Sequence, residues 1–136
     1  MRKLKRFLLI DDSKATTFFN KTIILKTEVV EEIAVAYNGK EALESLQSNS
    51  APELIFLDLN MPVMNGWEFL DAYHHHSNPF QNSKIIVMLG VEIGKEEREK
   101  LLSFPQVVEF RDKMLSKKVL EEIIQKYFAQ EVSSKL

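Results

Sequence analysis

Residues 7–16 read FLLIDDSKAT: four apolar side chains, two carboxylates, and a serine that opens a helix-forming stretch. A short apolar run closed by turn-type residues fits a buried strand. Ser13 suits the N-cap of a helix whose periodicity predicts Ala15, Phe18, Phe19 and Ile23 on its inward side. The segment is therefore the first half of a βα unit. Carboxylates are foreign to a strand core, so Asp11 and Asp12 either cap the next helix or hold something positive.

The same alternation continues to the end of the chain. RFLLI, EEIAVA, ELIFLD, KIIVML and VVEF read as strands, and each is followed by an amphipathic helical stretch. The second helix opens with Asn38 and Glu41 at capping-box spacing and turns Ala42, Leu43 and Leu46 inward. The third opens with Asn65 and Glu68 and would use Trp67, Leu70, and Phe69 or Tyr73. KEEREKLLSF predicts a short, highly charged fourth helix with a thin apolar side, and SKKVLEEIIQKYF the last. AQEVSSKL, at the carboxyl end, reads as a polar tail that frays. ELIFLD, apolar on both faces, reads as a central parallel strand. Five βα units imply an α/β fold: a doubly wound five-stranded parallel sheet with right-handed crossovers and helices on both faces.

Length and composition narrow the function. A chain of 136 residues makes one domain, 1–136, with an ordered core expected at about 5–130. With 18 Lys+Arg against 20 Asp+Glu, a net charge of −2 gives no bulk reason to expect nucleic acid or an anionic membrane as partner. No cysteine is present, which excludes disulfides, thiolate metal sites and thiol catalysis. MRKLKR precedes only four apolar residues, too few for a signal peptide, and no apolar run reaches membrane-span length. A cytoplasmic location is the expectation.

Doubly wound sheets bind ligands at the carboxyl ends of their strands. Asp11 and Asp12 end the first strand, Asp58 ends the third, and Lys113 lies just past the fifth, so one sheet edge should gather all four. Three neighbouring carboxylates repel unless a cation or protons intervene. An all-oxygen donor set of a few carboxylates favours a hard ion completed by water, Mg²⁺ rather than Ca²⁺. A carboxylate beside Mg²⁺ and lysine is also a nucleophile able to form an aspartyl phosphate, and Asp58, on the central strand, is the candidate. HHH at 74–76 does not make a metal site, because consecutive helical positions point about 100° apart. KEEREK reads as a solvated helix face.

DD at 11–12, LIFLDLNMPVMNGWEF at 54–69 and EFRDK at 109–113 together resemble a response-regulator receiver domain of the stand-alone chemotaxis type. The resemblance implies the flavodoxin-like strand order 2-1-3-4-5. It implies that Asp58 accepts a phosphoryl group from a phosphohistidine on a histidine kinase or histidine phosphotransfer protein. Asp12, Asp58 and the backbone carbonyl of Asn60 would bind Mg²⁺, with Asp11 acting largely through water. Pro62 and Gly66 would shape the loop after the third strand, Lys113 would contact the phosphoryl group, and Phe110 would be the switch aromatic. Output would pass to a downstream protein target, and the chain would be no enzyme beyond receiver-type self-phosphorylation and autodephosphorylation. Haloacid dehalogenase-like hydrolases place a second acid two residues after their nucleophile; that position here is Asn60.

Two departures from the receiver pattern stand out. The hydroxyl residue that receivers usually carry at the end of the fourth strand is replaced by Gly90, and the proline that usually follows the lysine by Met114, where a trans peptide is expected. Both leave room for an alternative, a pseudo-receiver that binds protein without being phosphorylated.

Overall fold

The computed structural model describes residues 3–48, 51–75 and 83–132. Among the described residues, ten elements alternate: β1 (Leu4–Ile10), α1 (Lys14–Thr27), β2 (Val30–Ala36), α2 (Gly39–Ser48), β3 (Leu54–Asp58), α3 (Gly66–His75), β4 (Lys84–Leu89), α4 (Lys95–Leu102), β5 (Val107–Asp112) and α5 (Lys117–Val132). The strands pair in parallel in the order β2-β1-β3-β4-β5. The βα pattern predicts the doubly wound sheet, and the order is the one that the receiver resemblance implies. The strands are longer than their apolar runs suggest, β1 beginning at Leu4 and β5 reaching Asp112. The last helix continues to Val132, past the predicted start of the polar tail, with a non-helical residue at Phe128. His76 and residues 133–136 lie outside the described residues.

Side chains alternate between two cores, as the period of two in a strand requires. Leu8, Ile10, Ile55, Leu57, Ile85 and Val87 meet α2, α3 and α4 through Ala42, Leu46, Phe69, Leu70, Tyr73 and Leu101. Phe7, Leu9, Phe56, Ile86 and Met88 meet α1 and α5 through Ile24, Leu120, Ile123 and Ile124. β3 is buried at all five positions, which fixes it as the centre of the sheet.

Local chemistry starts the helices where the sequence says. The Ser13 hydroxyl accepts from Thr16 N at 3.1 Å. Asn65 and Glu68 form a reciprocal capping box, each side chain accepting the other's backbone N–H at 2.9 Å. Asn38 caps Glu41 N, while the Glu41 carboxylate reaches Tyr37 N, one residue further back. Both Phe69 and Tyr73 are buried on α3, whereas Trp67 is half-buried with the Lys100 ammonium 4.9 Å from its ring centroid.

The inward face of α1 differs from the periodicity reading. Phe18 is 74% exposed and Phe19 40%, Ala15 is exposed, and Ile23 is only half-buried. Thr17, Asn20, Ile24 and Thr27 face the protein instead. These polar residues are tolerated because each finds a partner: Thr17 Oγ1 donates to Lys14 O, Thr27 Oγ1 to Ile24 O, and Asn20 bonds a distant loop.

Val63, in the β3–α3 loop, has φ 70°. The left-handed region costs an L-residue about 1–2 kcal/mol, and a β-branched side chain is particularly unsuited to it. Its side chain is 78% exposed, so truncation loses little packing. Val63→Gly is therefore expected to raise stability by roughly 0.5–1 kcal/mol after the extra unfolded-state freedom of glycine is deducted. Urea denaturation checks this; an unchanged or lower midpoint would show that the loop stores no strain at Val63.

Candidate functional site: an acidic cluster with a lysine at the sheet edge

β1 and β3 are adjacent, so their carboxyl ends deliver Asp11 and Asp58 side by side. Asp11 N donates to Ala36 O at 3.1 Å, holding the end of β1 against β2. The Asp11 carboxylate accepts from Ser13 N at 2.8 Å, turning the chain into α1 and leaving Asp12 at the exposed rim. Asp11 is 6% exposed and Asp58 3%. One carboxylate oxygen from each of Asp11, Asp12 and Asp58 lies within 4.8 Å of the others.

Lys113, one residue beyond β5, completes the group. Its Nζ donates to Asp58 Oδ2 at 3.3 Å and stands 3.7 Å from Asp11 Oδ2. Asn60 N lies 3.4 Å from Asp58 Oδ1, at the far limit of hydrogen bonding. The structure thus brings together Asp11, Asp12, Asp58 and Lys113 as the sequence predicts. Phe110 is half-buried against the core on the α3–α4 side, and Gly90 is exposed at the end of β4. No cis peptide bond occurs among the described residues, so Met114 follows a trans bond.

Gly66 has a steric reason to be glycine. A Cβ there would sit 2.5 Å from Asp58 O and 2.7 Å from Leu59 Cα, and Gly66 N donates to Leu59 O at 3.0 Å. The start of α3 is thereby pressed onto the backbone of Asp58. At Gly90 the situation is milder: a Cβ would meet only the Lys113 stem, at 3.4 Å from Cδ.

The electrostatics follow from burial and crowding. The Asp11 carboxyl is raised above its ordinary range, first by burial, then by the charges of Asp58 and Asp12; the Ser13 N–H and Lys113 oppose this. For Lys113, burial favours the neutral amine, but the carboxylates of Asp11 and Asp58 outweigh it and raise the ammonium pKa. Between the ordinary pKa and the raised one, folded Asp11 therefore holds a proton that unfolded Asp11 has already lost. Stability without metal should fall as pH rises from the ordinary value of 3.8 through the raised one, and the penalty is complete above it. Asp11→Asn is expected to remove that part of the pH slope and to stabilise the metal-free protein at neutral pH. Parallel slopes for the two proteins in a denaturation series at pH 3 to 7 would refute this assignment.

The oxygen-only cluster can hold a metal ion, and the buried Asp58 carboxylate beside an ammonium can act as a nucleophile. Sequence reasoning missed Asn20. A polar residue inside a helix reads as solvated, and the only available signal was its helical spacing with Thr17, Ile24 and Thr27, the face that proves to be buried.

Residues 7–127 match the response regulator receiver domain family. The chain is 41% identical over 66 residues to a protein-glutamate methylesterase/protein-glutamine glutaminase of Desulfotalea psychrophila; this covers 48% of the chain and only 18% of that relative. A solved two-component response regulator from Cytophaga hutchinsonii is 32% identical with a TM-score of 0.79, covering 92% of this chain and 97% of that one. The chemotaxis response regulator CheY4 of Vibrio cholerae shares the fold at 23% identity and a TM-score of 0.76, covering 91% and 98%. Among the described residues no helix is long and apolar enough to cross a membrane. Strand order, the acidic cluster and the matched span agree, and the chain belongs to the response regulator receiver domain family of two-component systems.

Proposed function

We propose that this receiver accepts a phosphoryl group on Asp58 from a phosphohistidine of a histidine kinase or histidine phosphotransfer protein, and signals through a contact with a downstream protein. The observation that carries this reading is the buried Asp58 carboxylate, 3.3 Å from the Lys113 ammonium and clustered with two further carboxylates. An Asp58 oxygen attacks phosphorus, the P–N bond of the donor breaks, and its electron pair leaves on the imidazole. Lys113 moves its attention from the carboxylate to the arriving phosphoryl oxygens, whose charge it offsets. The crowded oxygen donors fit Mg²⁺, which Asp12, Asp58 and the Asn60 carbonyl would hold, with Asp11 acting through water. When bound, the ion neutralises charge that otherwise keeps two anions apart. Gly66 lets the start of α3 pack on the Asp58 backbone, which supports a fixed position for the buried nucleophile.

Gly90 favours a second reading, a receiver that binds its partner without phosphorylation, since no side chain at the end of β4 can bond a phosphoryl oxygen. Incubation with Mg²⁺ and acetyl phosphate, followed by peptide mass spectrometry, separates the two. A phosphoryl mass gain on Asp58 supports phosphoacceptance. No gain under conditions that modify a known receiver overturns it in favour of the binding module, and sustained turnover of a phosphoester would indicate a hydrolase.

A further inference from the structure

Asn20 lies in the middle of α1, 5% exposed, at a position where a carboxamide brings no advantage to the helix. Its Oδ1 accepts from Leu115 N at 2.9 Å, and its Nδ2 donates to Lys113 O at 3.4 Å. The two bonds bracket Met114, whose side chain is half exposed and gives the turn little apolar anchorage. One side chain from α1 thus grips both ends of the turn that carries Lys113.

The reach of Lys113 makes that grip matter. Its Nζ stands 3.3 Å from Asp58 and 3.7 Å from Asp11, both longer than the 2.7–2.9 Å of a tight charged hydrogen bond. A small retreat of its backbone would take it out of range. At Gly90 no side chain walls in the Lys113 stem, so the direction of the stem depends on where the backbone places its root. Lys113 N is tied to Leu89 O at 3.1 Å, and the Asn20 amide fixes the other side of the same residue.

We propose that Asn20 is a positioning residue for Lys113: by holding Lys113 O and Leu115 N it sets the ammonium between Asp11 and Asp58. Its consequence for phosphoryl transfer rests on the phosphoacceptor reading above, whereas the placement of Lys113 does not. Asn20→Leu removes both bonds while keeping the branched shape, and Asn20→Ala does so without risk of overpacking.

The test joins two measurements on the full chain. In the first, lysines are labelled with an amine-reactive ester without metal, and peptide masses give the ratio of Lys113 to Lys126 modification. The Asn20 variants are expected to raise that ratio severalfold; a uniform rise at all lysines, or none, overturns the positioning role. In the second, uptake from acetyl phosphate with Mg²⁺ is compared in wild type, Asn20→Ala, Lys113→Ala and the double variant. A loss of roughly ten- to a hundredfold is expected for Asn20→Ala, the size that small misplacements of a reacting group produce. No further loss is expected when Lys113 is already alanine. An equal loss in both backgrounds means that Asn20 acts on the fold and not through Lys113. If wild type takes up no phosphoryl group, the phosphoacceptor reading fails, and the labelling ratio alone decides the role of Asn20.

Discussion

Asp58→Asn is expected to abolish phosphoryl uptake while leaving the fold in place. An amide oxygen is a weak nucleophile and cannot yield the acyl phosphate, so the loss is complete rather than graded. The structural effect is small because two changes oppose each other. The substitution removes the ionic attraction across the 3.3 Å contact with Lys113, and it also removes one of three negative charges whose oxygens lie within 4.8 Å. Asp58 is buried, so both the lost attraction and the lost repulsion act at reduced dielectric, and Lys113 keeps Asp11 as a partner. The denaturation free energy of the metal-free protein should therefore change by no more than about 1 kcal/mol, the usual scale of a partly exposed ion pair. Peptide mass spectrometry after acetyl phosphate treatment, together with a urea titration, checks both halves. Uptake persisting in the variant would place the nucleophile elsewhere; loss of uptake through unfolding would make Asp58 a structural residue.

The convergence of Asp11, Asp12, Asp58 and Lys113 was legible because the sheet geometry is. Five short apolar runs and the residues that cap α1, α2 and α3 determine parallel strands whose carboxyl ends face one edge. What periodicity could not reveal was the face of α1. Two adjacent phenylalanines dominate any apolar count, yet the helix buries Thr17, Asn20 and Thr27 because their polar groups have partners. Those partners are tertiary or depend on rotamer, and a hydropathy pattern contains neither. The same limit hid the strain at Val63, which arises from a backbone angle, and the pairing of Lys100 with Trp67, which joins α4 to α3.

Gly90→Thr is expected to strengthen the phosphorylation-dependent rearrangement about 10- to 150-fold. A hydrogen bond to a charged oxygen contributes roughly 1.5 to 3 kcal/mol, and each 1.4 kcal/mol is a factor of ten. That bond exists only when the phosphoryl group is present, so its full strength acts on the equilibrium between the two conformations. The site can accept the side chain: a Cβ at position 90 meets only Lys113 Cδ, at 3.4 Å, and a lysine stem can move by a few tenths of an ångström. The element to be moved is lightly held. α4 buries Leu101 alone, and Lys100 touches the Trp67 ring from the surface. Glycine also leaves the β4–α4 loop more conformations to lose when it orders, a cost that threonine reduces. Phosphoryl transfer itself should change far less, because Lys113 still faces the transferring group. NMR shifts at Phe110 and along α4, recorded with and without beryllofluoride, read the equilibrium in both proteins. A wild-type protein that already rearranges fully, or a threonine variant that gains nothing, would mean that the missing hydroxyl does not limit the switch; a matching loss of acetyl phosphate reactivity in the variant would instead point to displacement of Lys113 by the new Cβ.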